Sequence, residues 1–129
     1  MKRLCFVIPT LGIGGTERQL LLLAEGLRRS YEITCVCTRG LGPLAAPMAG
    51  LGVRVESLAL PTAWDPRLAG RLRRLFQRHR PDIMHTFLSG FDLAANRAAR
   101  DTGVPVVVSS RRELAIWQKP RHVRRQCLA

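Results

Sequence analysis

The most constraining stretch of the chain is its first apolar run and the turn that closes it. Leu4-Cys5-Phe6-Val7-Ile8 is dense enough for a strand buried on both faces. Ile8-Pro9-Thr10-Leu11-Gly12-Ile13-Gly14-Gly15-Thr16-Glu17-Arg18 then turns the chain, and Gln19 to Arg29 is good helix-forming material. Strand, glycine-rich turn and helix form the recurring first step of an open α/β sheet. Glycine lets ligand atoms approach the backbone where a Cβ would keep them away. The following helix start offers unpaired N–H groups and the positive end of its dipole, which attract anions. Thr16 is the expected N-cap, because its hydroxyl can accept an N–H from the first turn. Glu17 stands where the dinucleotide fingerprint needs glycine, and Thr38-Arg39 occupy the place of its acidic residue. No Gly-Lys-Ser/Thr follows, so the turn is not a P-loop. A helix entry that binds nothing remains the alternative reading.

The rest of the chain repeats the pattern. Strands are predicted over Glu32–Thr38, Val53–Leu58, Asp82–Thr86 and Val104–Ser109. Helices are predicted over Thr16–Arg29, which should be well buried, and over Leu44–Leu51, Pro66–Arg80 and Phe91–Asp101. The near-continuous apolar run from Val104 is what a central parallel strand requires. Residues from about Pro120 look helical up to the end of the chain, which reads as a truncated product or a fragment. The alternation predicts a Rossmann-like α/β fold: a parallel sheet of about five strands with helices on both faces, in one domain over 1–129.

Ligands of such sheets bind beyond the carboxyl ends of the strands, near the switch in strand order. That rule selects Gly12–Glu17, His85–Gly90 and Ser109–Glu113, which would line one crevice if the order is 3-2-1-4-5. His85 reads either as a crevice-lining polar group or as a structural histidine. Arg111 and Arg112 read as anion contacts, with a solvated loop pair as the alternative.

Charge narrows the partners. The chain of 129 residues carries 21 Lys and Arg against 9 Asp and Glu, a net charge of +12, which draws anions. Arg67, Arg71, Arg73, Arg74, Arg78 and Arg80 decorate a Leu68-Leu72-Leu75-Phe76 stripe. That pattern is either a solvated amphipathic face or a surface for peripheral contact with anionic lipid. Aromatic residues make up only 5% of the chain, so stacking platforms for bases are scarce and nucleic acid is disfavoured as a partner. Cys5, Cys35, Cys37 and Cys127 are spaced for neither a disulfide framework nor zinc, and they read as reduced thiols of a cytoplasmic protein. No run approaches the length of a membrane span, and no metal is expected.

Three motifs together carry a resemblance: the Pro9-to-Glu17 turn ending in Gly14-Gly15-Thr16-Glu17, Pro81-Asp82-Ile83-Met84-His85-Thr86, and Gly103-Val104-Pro105-Val106-Val107-Val108-Ser109. The set resembles the N-terminal domain of family 4 retaining glycosyltransferases of GT-B architecture, over Lys2 to Ala129. The resemblance implies transfer of a sugar, with retention, from a nucleotide-diphosphate sugar, the N-terminal domain mainly holding the acceptor. The basic charge, not the resemblance, favours a lipid-linked or phosphorylated acceptor over a plain sugar and a peripheral place at the inner face of the membrane for a cytoplasmic protein. The resemblance puts Gly14 and Gly15 near the donor diphosphate and acceptor and matches Glu17 to an acidic residue at the helix start. With Thr16 beside them and His85, Arg111 and Arg112 from the strand-end rule, these are the candidate donor- and acceptor-binding residues. Many members have His-x-His where Phe87 takes the second position here, and a histidine where Arg111 stands. Arginine cannot act as a neutral imidazole, although its planar fork can clamp a phosphate. No catalytic residue is assigned. The donor-binding C-terminal domain is absent from these residues, so the chain is expected to be inactive alone. The alternative is a non-catalytic basic Rossmann-like module that binds nucleotide or nucleic acid.

Overall fold

Strands and helices alternate along the chain because apolar residues recur first at strand period, then at helix period. The computed structural model describes residues 1–61, 65–87 and 92–110. The order is β1 (Lys2–Ile8), α1 (Gly15–Leu27), β2 (Tyr31–Cys37), α2 (Ala45–Gly50), β3 (Arg54–Ser57), α3 (Leu68–His79), β4 (Ile83–Thr86), α4 (Asp92–Asp101) and β5 (Val106–Ser109). Among the described residues the strands form one parallel sheet in the order β3-β2-β1-β4-β5. The chain therefore builds outward from β1 in one direction, then crosses to its other side. The switch in strand order falls between β1 and β4, where ligand crevices form in such sheets.

β1, β2 and β4 each feed two cores because successive side chains point to opposite faces. Phe6 and Ile8 join Leu11, Leu20, Ala24, Cys35, Cys37 and Met48 under α1 and α2. Cys5 and Val7 join Val36, Met84 and the Leu68, Leu72, Leu75 and Phe76 stripe of α3. Ala95, Ala98 and Ala99 let α4 lie close on the same face. The stripe on α3 recurs every three or four residues, which is why its arginines stay outside. Arg80, in the left-handed region at φ 47°, ends α3 directly before Pro81.

Three expectations are corrected. Thr16 is not the N-cap: α1 begins one residue earlier, with Gly14 extended at the cap position and no side-chain cap bond. Glycine tolerates that position, so the helix can start before the hydroxyl is reached. Second, α1 is less buried than its leucine run suggests. Only Leu20 and Ala24 are buried, and Leu22 is 66% exposed, because a single face of the helix meets the sheet. Third, β5 is an edge strand among the described residues, and Val106, Val107 and Val108 are exposed there. An apolar run reports how a strand would pack, not whether another strand lies beyond it.

Candidate crevice at the carboxyl ends of the strands

The glycine-rich turn is held in place by its neighbour in the sheet. Thr38 donates its N–H to the Ile8 carbonyl at 2.9 Å, Arg39 donates to Pro9 at 2.9 Å, and Leu44 donates to Leu11 at 2.9 Å. Gly42 lies so close that a Cβ there would land on the Leu11 carbonyl and the Gly12 nitrogen. The two loops after β1 and β2 are thus fused by backbone contact. Cys37 sits beneath them, and its hydrogen bond with Cys35, helped by the Leu11 amide, pulls its thiol below the ordinary value. The same bond, with burial, pushes Cys35 well up.

At the helix entry, Arg18 donates to the Gly14 carbonyl at 3.1 Å. The Glu17 carboxylate folds back over Gly14, into the place a Cβ would take. It is a resident anion at a helix N-terminus, which the dipole stabilises. Gly15 differs: a Cβ there would meet nothing, so its face is open to whatever enters the crevice. Thr16 follows as the second helical residue.

β4 and β5 bring the second wall. Phe87 donates its N–H to Val7 at 3.1 Å, and Ser110 donates to Thr86 at 2.9 Å, so the chain after each strand stays against its neighbour. His85 Nε2 lies 2.6 Å from Ser110 Oγ. Its ring stacks on Phe87, with centroids 4.1 Å apart and planes 25° apart. Phe6 meets the Phe87 ring edge-on at 5.6 Å. The imidazole is half-buried and fixed in both plane and tilt. A fixed polar ring beside a serine hydroxyl, at the end of the strand that neighbours β1, can orient a hydroxylated or phosphorylated ligand at the switch point. Phe87, which stands at the family's second histidine position, is buried and acts as the platform for His85.

A family model for the glycosyl transferase 4-like domain matches residues 14–128. The chain belongs to that family. The match to the glycosyl transferase 4-like domain begins at Gly14, the cap of α1, and takes in both walls of the crevice. Solved structures that share its fold include two proteins of other names. The C-terminal domain of a hydrogenase from Pyrococcus furiosus superposes with a TM-score of 0.60 at 14% identity, covering 85% of this chain and 94% of that one. The UDP-GlcNAc 2-epimerase from Neisseria meningitidis, bound to UDP-GlcNAc, superposes with a TM-score of 0.60 at 12% identity. It is covered for 38% of its length, by 98% of this chain. No curated protein matches the sequence.

The structure places Gly14, Gly15, Thr16, Glu17 and His85 at the carboxyl rim, on the neighbouring strands β1 and β4 or directly after them. Arg111 and Arg112 lie outside the described residues, directly after Ser110. Sequence reading placed Ser110 in the Ser109–Glu113 cluster but gave it no partner, and it missed Gly42. The pairing of Ser110 with His85 comes from the register of β4 against β5. Gly42 carried no local signal, because its constraint comes from Leu11, thirty-one positions away. Among the described residues no helix is long and apolar enough to cross a membrane.

Proposed function

We propose that this domain is the acceptor-side half of a retaining GT-B glycosyltransferase, and that its crevice holds the acceptor beside the diphosphate of a nucleotide-sugar. What supports the reading is that an open glycine turn follows β1 while a histidine fixed by Ser110 and Phe87 ends its neighbour β4, at the switch in strand order. In this reading Gly15 lets the diphosphate approach the first turn of α1. His85 and Ser110 orient a hydroxyl group of the acceptor or sugar, and Arg111 and Arg112 neutralise phosphate. Most of the leaving-group stabilisation is supplied by a donor-binding half, so this chain alone does not turn over. No metal is required. The epimerase of similar fold was solved with a nucleotide-sugar, which agrees with that donor class. The arginines of α3 suit a lipid-linked acceptor presented at an anionic cytoplasmic membrane face.

The test fuses the chain to the donor-binding half of a family relative and follows nucleoside diphosphate release. Transfer should require both halves, and Gly15→Leu should abolish it without lowering Tm. Full activity in Gly15→Leu would remove the turn from the site. A second reading, a basic module for nucleic acid, rests on the net charge of +12. It expects tight, steeply salt-dependent binding to generic duplex DNA and no dependence on Gly15.

A further inference from the structure

The rim opposite the crevice, at the amino ends of the strands, carries a cavity of about 310 Å³ under the last turn of α3. Its polar lining is Arg3, Glu32, Thr34, Arg54, Arg78 and His79. A second depression, of about 360 Å³, adjoins it through Glu32, Ile33 and Gly52 and adds Arg28 and Arg29. Gly52 has no side chain to separate the two, so they run together around the edge of the sheet.

The charges in this groove are unequal. Among the lining residues, Glu32 is the carboxylate set against the guanidinium groups of Arg3, Arg28, Arg29, Arg54 and Arg78. Glu56 and Asp82 stand behind the lining and are already engaged. Glu56 receives Arg78 at 3.2 Å through one oxygen and His79 Nε2 at 3.2 Å through the other. Asp82 accepts the Arg3 amide at 2.8 Å. Even with both included, five guanidinium groups face three carboxylates.

Arg54 is the least satisfied. Among the described residues its side chain meets a ring nitrogen, His79 Nδ1 at 3.4 Å, and no carboxylate. With Nε2 facing Glu56, Nδ1 is the acceptor for Arg54. A neutral nitrogen at that distance is a weak partner for a planar fork built to hold two oxygens. Arg3 is loosely held on its acidic side. Its Nε is 3.4 Å from Glu32, and the two side chains are 50% and 63% exposed, a pair that water screens. The carboxyl end of α3 disfavours anions through its dipole, but Arg3 covers the His79 carbonyl at 3.0 Å.

We propose that this groove is a second ligand site, on the rim away from the transferase crevice, for a compact phosphate anion of the pyrophosphate class, with Arg54 as its principal contact and Arg3 and Arg78 alongside. The site does not depend on the glycosyltransferase reading, because no residue of the crevice lines it.

Pyrophosphate titrated into the full chain at 0.15 M salt, read by calorimetry, tests the proposal. Arg54→Ala should weaken binding about tenfold or more, the scale of one charge-assisted hydrogen-bond pair. Arg54→Lys should lose less, keeping charge without the fork. Circular dichroism checks that each variant is folded. Several outcomes overturn the proposal: no pyrophosphate binding by the folded chain, binding indifferent to Arg54→Ala, or binding that Gly15→Leu abolishes while Arg54→Ala leaves it alone. Duplex DNA binding that needs Arg54, without pyrophosphate binding, overturns it in favour of a nucleic-acid surface.

Discussion

The two rims of the sheet are built from different materials. At the carboxyl ends, backbone does the shaping: Gly42 lies against Leu11 and Gly12, Gly14 is covered by Glu17, and Gly15 leaves open space. At the amino ends, long side chains do it, with arginines and a histidine arranged around Glu32 and Glu56. A rim made of backbone has fixed geometry and little tolerance wherever two backbones touch. A rim made of arginines is adaptable, and each of its exposed ion pairs contributes little to stability. The first suits positioning for chemistry and the second suits capture of charge.

The sharpest way to break the contrast is at Gly42. Gly42→Ala should cost on the order of 3 kcal/mol, because its Cβ meets backbone that cannot move without shifting both loops. Gly15→Ala, three positions into the other loop's glycine run, should leave stability unchanged or raise it by about 0.5 kcal/mol. Equal urea midpoints for the two variants would show that the fused-loop account is wrong.

A second test lies under the amino rim. Cys5 is fully buried, and burial, with some contribution from Glu56, pushes its thiol from 9.0 up to about 12. The neutral thiol is favoured in the folded state, so its contribution is complete below pH 9 and is lost as pH rises towards 12. The loss should reach about 3 kcal/mol near pH 11, read as a falling Tm. Cys5→Ala should flatten that alkaline decline, and an unchanged slope would move its origin elsewhere.

Thr38 offers a smaller effect at the carboxyl rim. Among the described residues its Oγ1 is buried without a hydrogen-bond partner, although its backbone is fully used by Ile8 and Leu60. Thr38→Val should therefore stabilise the fold by about 1 kcal/mol, since no bond is lost. A destabilised variant would mean that the hydroxyl is satisfied after all.

The smallest effect is expected at Asp65, before α3. Two bonds from Arg67, at 2.8 and 3.0 Å, hold its carboxyl down from 3.8 to about 2. That contribution is present above pH 4 and disappears as pH falls through 2. Asp65→Asn should differ slightly from the parent at pH 7 and converge with it in acid. A difference that grew in acid would contradict the assigned pairing.

Much of this protein was legible from its residues. Alternating strand and helix patterns named all nine elements found among the described residues, with boundaries displaced by two residues or fewer, because the period of apolar residues is a local property; the helical pattern from about Pro120 lies outside those residues. The strand order that a shared crevice would require, 3-2-1-4-5, is the order found among the described residues. Where reading failed, the cause was non-local. Val106 to Val108 spell a buried strand, yet among the described residues they sit at an edge. Thr16 looks like a cap, yet Gly14 takes that place. The leucines of α1 look uniformly buried, yet one face meets the sheet.

From the sequence by itself came the α/β class, the glycine turn after the first strand and the excess of positive charge, each carried by neighbouring residues or by simple counting. Only the tertiary structure joined His85 to Ser110 and Phe87, set Gly42 on Leu11, and gathered Arg3, Arg54 and Arg78 around one groove. Those groups are brought together by the register of parallel strands and the crossing from β3 to β4. Parallel strands pair across whole intervening helices, so the contacts that make a site are invisible to any local pattern.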